Sequence, residues 1–307
     1  MTVAVKPVVD SKAMAVVDEL VRRGRAAMAA FADAHQACVD EAVTALAWSL
    51  YNPAHAKELA ELAVKDTLLG NVPDKIIKKQ RKTFGTLRDL LRVKSVGIIE
   101  EDSKLGIVKY AKPVGLVCAI TPSTNPGATP VNKAMMAIKG RNAVIIAASP
   151  AGLKTTGKTV NYMRAELKKI GLPEDLVQIL PPPASKDMTQ TLMQAADLVV
   201  ATGSQDNVRR AYSSGTPAIG VGTGNVPVIV DETADLDDAA KMVRFAVARQ
   251  RTRNGVLVHS ERSRGSGNSI IRLDRTHNCP LLYVGAGFCV LPRRRLFAVV
   301  TALLDWV

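Results

Sequence analysis

The sequence lacks several features that would assign it to a class at once. Its four cysteines have no paired spacing, so neither a disulfide framework nor a zinc knuckle is indicated, and no histidines or acids stand at metal-ligand spacing. No apolar run reaches the roughly 18 residues that a membrane-spanning helix needs. The N-terminus carries no basic and apolar leader. With 307 residues and 47% apolar content, the chain is predicted to be globular and cytoplasmic, with no membrane partner and room for two domains.

Lysine is absent from the last 66 residues. All 20 lysines lie at or before Lys241, whereas 11 of the 21 arginines follow it, together with only three acids. Most of the formal net charge of +13 therefore lies in a segment of unusual composition. A protein that attracts polyanions needs a basic face on a folded domain, so we expect no nucleic-acid partner.

Helical periodicity dominates the first part of the chain. Over 11–92, apolar residues recur at spacings of three and four, with strong helix formers between them. Asn52-Pro53 and Asn71-Val72-Pro73 are typical of helix starts. This segment is predicted to form three or four helices.

Alternating patterns follow this helical segment. Apolar and polar residues alternate over 94–112, which predicts a hairpin between Val96 and Tyr110. Over 113–231, short apolar runs alternate with amphipathic helical stretches; the runs are VGLVCAI, AVIIAA, LVQIL, DLVVATG, AIGV and PVIVD. Continuous apolar strands are buried on both faces, so the alternation predicts an α/β fold with a parallel sheet covered by helices. Ligands of such sheets bind beyond the carboxyl ends of the strands.

The first candidate site is the loop TPSTNPGATP, which follows the first strand of the predicted sheet. Two prolines stiffen the chain around Asn125, so its amide could be presented in a fixed direction, as an oxyanion donor must be. An Asn-Pro pair also simply turns a chain before a helix, and this loop alone favours the turn.

Two further stretches could contact a ligand. In VVATGSQDNVRRAYSSG, a buried strand ends at Thr202-Gly203 and Ser204 can cap a helix, which is a geometry that offers backbone N–H groups to a phosphate. A plain strand-to-helix turn fits equally well. In GVGTGNVPVIVD, glycines such as Gly220 and Gly222 permit either close approach of a flat ligand or relief of crowding against a neighbouring strand. Neither GxGxxG nor a P-loop occurs in the chain.

Together these stretches resemble the aldehyde dehydrogenase superfamily, and within it the coenzyme A-acylating branch. KPVGLVCAITPSTNP, AIKGRNAVIIAASP and AYSSGTPAIGVGTGNVPVIVD carry a resemblance that covers about 11–248. It implies an NAD-binding domain over 1–235, built as a variant Rossmann sheet with N-terminal helices. Residues 236–307 are then an incomplete catalytic domain with an arginine-rich C-terminus. Family members are oligomers and the hairpin resembles their assembly segment, so we expect a homo-oligomer or self-association.

The resemblance also implies roles for individual residues. Asn125 is the implied oxyanion donor, and the implied cofactor-binding residues are Pro122, Ser123, Thr124, Thr202, Gly203, Ser204, Gly220 and Gly222. In the family reaction a cysteine thiolate attacks a small aldehyde, hydride passes to NAD, with NADP left open, and coenzyme A takes the acyl group. The hydrolytic branch has a glutamate base near the position of Gly220. Glycine there keeps an activated water away from the thioester.

The resemblance breaks at the nucleophile. The family motif is similar to FDNGxxCxSE, and its cysteine position holds Val258 in TRNGVLVHSER. Valine forms no thioester, and neighbouring His259 is a weaker nucleophile. Cys279 and Cys289 follow no recognisable motif, and a lone cysteine is more often a small buried hydrophobe.

No family match is found after Ser263. This favours a change of reading frame after Lys241 or a gene remnant, because a GC-rich gene read out of frame yields arginine. The leading interpretation is therefore an NAD-dependent acylating aldehyde dehydrogenase by descent, without turnover. The alternatives are an inactive NAD-binding module and a basic protein associated with nucleic acid.

Overall fold

The computed structural model describes residues 11–222, 227–230, 234–235, 237–241 and 257–260. The chain divides into two compact units, 1–222 and 223–307. Eight helices lie within 11–222: α1 Ser11–Ala30, α2 Gln36–Tyr51, α3 Pro53–Thr67, α4 Val72–Leu91, α5 Ala128–Lys139, α6 Leu153–Lys169, α7 Lys186–Ala195 and α8 Gln205–Tyr212. The described strands are β1 Gly97–Asp102, β2 Ile107–Ala111, β3 Leu116–Thr121, β4 Ala143–Ala148, β5 Val177–Ile179, β6 Leu198–Thr202, β7 Ala218–Val221, β8 Pro227–Val230 and β9 Leu257–Ser260.

The N-terminal helices begin where the sequence places helix starts. The Asn52 side chain caps α3 by accepting from the backbone N–H of Ala54 at 3.0 Å. Asn71 caps α4 in the same way, accepting from the N–H of Asp74 at 2.9 Å. A capping side chain satisfies an N–H that has no partner inside the helix. The expectation of three or four helices is confirmed, with four.

Strands β1 and β2 form the predicted antiparallel hairpin, in which Gly97 pairs with Ala111. The Asp102 carboxylate closes the turn by accepting from the N–H groups of Lys104 and Leu105. Several large apolar side chains of this hairpin are exposed: Ile99, Leu105, Ile107, Val108 and Tyr110.

The central sheet has five parallel strands in the order β5-β4-β3-β6-β7. All six residues of β3 are buried, including Cys118, which confirms that this cysteine packs in the core. Right-handed crossovers place α5 and α6 on one face, and α1 contacts β3, β4 and α7. The predicted α/β fold with a helix-covered parallel sheet and N-terminal helices is confirmed.

The sheet ends earlier than the sequence analysis places it. The run PVIVD forms β8, which pairs in parallel with β9 rather than joining β7. Its pairing partner lies about thirty residues further along the chain, and a strand pattern carries no information about so distant a partner. The five-stranded sheet of the structure therefore stops at Val221.

Candidate functional site

The connections of the sheet diverge at the carboxyl ends of β3 and β6. From β3 the chain moves through β4 to β5, and it then returns to the other side of β3 to add β6 and β7. Ligands of open α/β sheets bind in the crevice that such a reversal creates. The candidate residues Pro122 and Gly203 follow these two strands directly.

The loop after β3 is held at its proline. The Thr156 hydroxyl donates to the carbonyl oxygen of Pro126 at 2.9 Å. A Cβ added at Gly152 would lie 2.7 Å from the Cβ of Pro126, so α6 reaches the loop at close range. Both contacts fix the chain next to Asn125.

Asn125 lies half-buried in this fixed loop. Its carbonyl accepts from the N–H of Thr129 at 3.3 Å, which starts α5. Within the described residues its side-chain amide makes no hydrogen bond. The amide is therefore available to a ligand, while the backbone does turn the chain, so the structure accommodates both roles that the sequence left open.

The turn after β6 contacts the loop after β3. Gly203 has a φ of 147°, and a Cβ built there would lie 3.7 Å from the Cβ of Pro122. A side chain at this position would strain the backbone and narrow the crevice. The N–H of Gly203 donates to the carbonyl of Val221, and the Ser204 hydroxyl accepts from the N–H of Asn207.

These bonds leave the first two N–H groups of α8 to bind an anion. They belong to Gln205 and Asp206, for which the described part of the chain offers no acceptor. The carboxylate of Asp206 lies in the same turn and opposes a phosphate there. The start of α8 is therefore capped and preceded by a glycine turn, as the sequence predicts. The N–H of Gly203 is already bonded to the carbonyl of Val221 and is not free for a ligand.

Gly220 and Gly222 have a packing role. A Cβ at Gly220 would lie 2.7 Å from Val208 and 3.0 Å from the ring of Tyr212, and the N–H of Gly220 donates to the Tyr212 hydroxyl. A Cβ at Gly222 would lie 2.6 Å from Gln205. Of the two explanations for these glycines, relief of crowding is seen directly, and helix α8 rather than a neighbouring strand is the cause.

Lys133 lies outside the three stretches that the sequence pattern singles out. This buried side chain on α5 donates to the carbonyl oxygens of Ile120 at 3.0 Å and Val200 at 2.5 Å, one on β3 and one on β6. Burial lowers the pKa of Lys133 to about 7. A lysine among the apolar residues of an otherwise buried helix is the signal that could have revealed it.

Two more lysines contact the other side of the Asn125 loop. Lys75 and Lys79 lie on α4, and both are buried. Lys75 donates to the carbonyl of Thr124 at 3.5 Å. Burial lowers the pKa of both lysines, that of Lys79 to about 7, and their neighbouring positive charges add to the effect.

An unsatisfied polar atom also marks the site. The hydroxyl of Thr121, the last residue of β3, is buried and has no partner among the described residues. The open Asn125 amide and the first N–H groups of α8 place further polar groups on the two sides of the crevice. The residues present therefore fit the cofactor that the resemblance implies.

Val258 stands where the family motif has its nucleophilic cysteine. It lies in β9 and pairs with Val228 of β8. Cys279 and Cys289 lie outside the described residues. No helix within the described ranges is long and apolar enough to cross a membrane, and within the same ranges no group of three metal-ligating side chains was found.

Comparison with known proteins agrees with this geometry. The aldehyde dehydrogenase family model matches residues 8–251. The chain is 52% identical over 263 residues to the acylating sulfoacetaldehyde dehydrogenase of Cupriavidus necator, covering 86% of this chain and 51% of the relative. It is 40% identical to the acetylating succinate-semialdehyde dehydrogenase of Clostridium kluyveri, covering 80% and 53%.

Solved structures show the same relationship. An acetylating aldehyde dehydrogenase from Geobacillus thermoglucosidasius matches with a TM-score of 0.71 and 31% identity, covering 83% of this chain and 57% of the other. The chain spans about half the length of the curated relatives it matches. It belongs to the aldehyde dehydrogenase family, with acylating members among its relatives.

Proposed function

We propose that this chain carries the NAD-binding part of a coenzyme A-acylating aldehyde dehydrogenase. The observation that carries the proposal is that Pro122 and Gly203 lie side by side, with room for no more than a Cβ between them, at the point where the sheet connections diverge. The relatives are named for acylating or acetylating dehydrogenases. A small aldehyde and coenzyme A are accordingly the proposed substrates.

The proposed cofactor residues lie on both sides of the crevice. Pro122, Ser123 and Thr124 form one wall, and Thr202, Gly203 and Ser204 form the other. When bound, the nicotinamide ring supplies an acceptor for hydride. The role of the chain is to hold that ring in a fixed place. The hydrogen bonds from Lys133 to β3 and β6 serve this purpose, because they fix the two strands that end at the crevice.

Asn125 is the proposed oxyanion donor. Its amide is free within the described residues, and its loop is anchored at Pro126. A donor fixed before the reaction stabilises developing negative charge without having to reorient. Gly220 brings no carboxylate to the site, so it supplies no base to activate water against a thioester.

We further propose that this chain does not turn over, because Val258 occupies the position of the nucleophilic cysteine. A hydrocarbon side chain cannot add to a carbonyl carbon. The chain is therefore proposed to bind NAD without catalysing the family reaction. The change of reading frame after Lys241 remains a hypothesis, and resequencing the gene together with mass spectrometry of the protein tests it.

Calorimetry with NAD and with NADP on the full chain tests the binding proposal. We expect saturable heat with at least one dinucleotide, and no NADH when a short aldehyde and coenzyme A are added. Gly203→Ala should weaken dinucleotide binding, because it strains the backbone and narrows the crevice. Gly171→Ala is the control, since it also adds a methyl group at a positive φ, 75°, but with no atom within 4 Å of the added Cβ.

The two parts of the proposal fail separately. Absence of heat with both dinucleotides would contradict the cofactor site. Coenzyme A-dependent NADH formation that is lost in Asn125→Ala would contradict the absence of turnover, while supporting the role of Asn125.

A further inference from the structure

The α3–α4 loop places an exposed leucine in a strained backbone conformation. Leu68 ends α3 with a φ of 54°, and 85% of its surface is exposed. Helices commonly end in a left-handed residue, but that residue is usually glycine, because a Cβ is crowded there. The next residue, Leu69, is also exposed. The loop therefore carries both backbone strain and an apolar tip.

Hydrogen bonds fix this conformation. The N–H of Leu68 donates to the carbonyl of Val64 at 2.9 Å, and the N–H of Leu69 donates to the Thr67 hydroxyl at 3.3 Å. That hydroxyl in turn donates to the carbonyl of Ala63 at 2.6 Å. A strained residue persists only where its surroundings determine its geometry. The backbone consequently presents the side chain of Leu68 to solvent from a fixed position.

Arg141 shows what such strain can serve. It has the other positive φ, 57°, among the non-glycine residues that the structure describes. Its guanidinium donates to the carbonyl of Ala32 just beyond the end of α1, so the strained position secures a contact within the fold. The exposed side chain of Leu68 secures no comparable contact among the described residues. Strain that no internal contact offsets is typical of residues that meet a ligand.

Two anchors hold the α3–α4 loop beside the loop after β3. Before the leucines, the Asp66 carboxylate accepts from the N–H and the hydroxyl of Thr155 in α6, at 2.9 and 2.7 Å. After them, a Cβ built at Gly70 would lie 3.9 Å from Nζ of Lys75, the same atom that donates to the carbonyl of Thr124 at 3.5 Å. A single ammonium group therefore separates the two loops.

The α3–α4 loop lies on the side of β3 that faces away from the proposed dinucleotide site. On the β6 side, Gly203 lies against Pro122. Helix α6 follows β4, and β4 lies on the opposite side of β3 from β6. A Cβ at Gly152, just before α6, would lie 2.7 Å from the Cβ of Pro126. A ligand that approaches Asn125 from the β4 side therefore meets the α3–α4 loop.

We infer that Leu68 and Leu69 form an apolar lip on the β4 side of the crevice and cover the methylene groups of an aldehyde whose oxygen is held by Asn125. This rests on the proposed function, which supplies the aldehyde and the role of Asn125. Contact between the leucines and the aldehyde chain removes apolar surface of both from water, which favours binding. This gain offsets the strain at Leu68.

Unreactive primary amides can test the lip on the full chain. Acetamide, propanamide, butanamide and pentanamide present a carbonyl oxygen to Asn125 as an aldehyde does, and they differ only in the number of methylene groups. Their affinities are measured by ligand-detected NMR with NAD present. We expect each added methylene to tighten binding about threefold. In Leu68→Gly this gain should fall below about 1.5-fold for each methylene.

Stability measurements separate the lip from a structural role. Leu68→Gly should unfold at an equal or higher urea concentration than the wild type, because glycine takes a positive φ without strain. Leu68→Asn, which also tolerates this conformation, should behave in the same way. Leu68→Met keeps an apolar side chain and should keep the dependence on chain length. Leu105→Gly is the control, since it removes an exposed leucine from the hairpin turn and should leave amide binding unchanged.

Several results would overturn the inference. Amide affinities that do not depend on chain length would do so, as would the wild-type dependence in Leu68→Gly. A lower urea midpoint in both Leu68→Gly and Leu68→Asn would show that the leucine serves the fold. Loss of self-association in Leu68→Gly, measured by sedimentation with amide binding unchanged, would assign the leucines to a contact between copies of the chain. Failure of the wild-type chain to bind NAD would contradict the proposed cofactor site, while the amide series still decides on the lip.

Discussion

Helices α4 and α5 both carry buried lysines, and the hydrogen bonds of these lysines differ between the two helices. On α5, Lys133 joins two strands and Lys139 meets Asp40. On α4, within the part of the chain that the structure describes, Lys75 makes one long bond to the carbonyl of Thr124 and Lys79 makes no hydrogen bond or ion pair. Burial alone therefore does not identify a lysine that supports the fold; the state of its hydrogen bonds does.

The largest expected effect concerns the α5 lysine. Lys133→Met should lower the free energy of unfolding by about 3 kcal/mol, because two charge-assisted bonds to backbone carbonyls are lost while the buried volume is kept. Urea denaturation at pH 7 measures it. A stability equal to or above that of the wild type would show that the cost of burying the ammonium exceeds the value of its bonds.

The α4 lysine should respond in the opposite direction. Lys79→Met should raise the free energy of unfolding by about 2 kcal/mol at pH 7, since it removes a buried ammonium that has no partner among the described residues. The same denaturation experiment applies, with Arg81→Gln as the exposed control. A loss of stability in Lys79→Met would mean that the ammonium has a stabilising partner, and the contrast between the helices would disappear.

The pH dependence of stability tests the burial of Lys79 on α4 in a second way. Burial lowers the pKa of Lys79 from its ordinary 10.5 to about 7, so between these values the unfolded chain holds more protons than the folded one. Stability therefore rises with pH in this window. From pH 7 to pH 8 the wild type should gain about 1 kcal/mol relative to Lys79→Met, because one pKa unit corresponds to 1.36 kcal/mol. Parallel pH profiles for the two proteins would refute the shift.

The smallest effect on stability is expected at Asn125. Asn125→Ala should change the free energy of unfolding by less than about 0.5 kcal/mol, since its amide makes no hydrogen bond within the described residues and the side chain is only half-buried. Thermal denaturation measures this change. A loss above about 1 kcal/mol would indicate that the amide serves the turn rather than a ligand.

Much of the fold could be predicted because the relevant signals are local. The Asn52-Pro53 and Asn71-Val72-Pro73 starts carry their capping groups with them, and an uninterrupted apolar run such as AVIIAA can only be stable when both faces are covered. The location of the crevice followed from the same pattern. The partner of β8 did not, because strand pairing over a long separation depends on tertiary structure.

The buried lysines could not be predicted for a different reason. Spacings of four on α4 place Lys75, Lys79 and Thr83 on one face, and a polar face is ordinarily expected to contact solvent. Only the packing of α4 against α2, α3 and α5 shows that this face is turned inward. The role of Gly220 was likewise undecided until the position of Tyr212 was known.

The single ammonium of Lys133 has a mechanical consequence for the crevice. It adds a bond to a carbonyl of each strand where the backbone ladder already pairs β3 with β6, so the ends of the two strands are expected to shift together. A ligand that pushes one wall outward therefore moves the other wall as well. The cleft is expected to behave as a stiff frame of constant width, which favours a flat aromatic ring of one thickness over thicker or thinner guests.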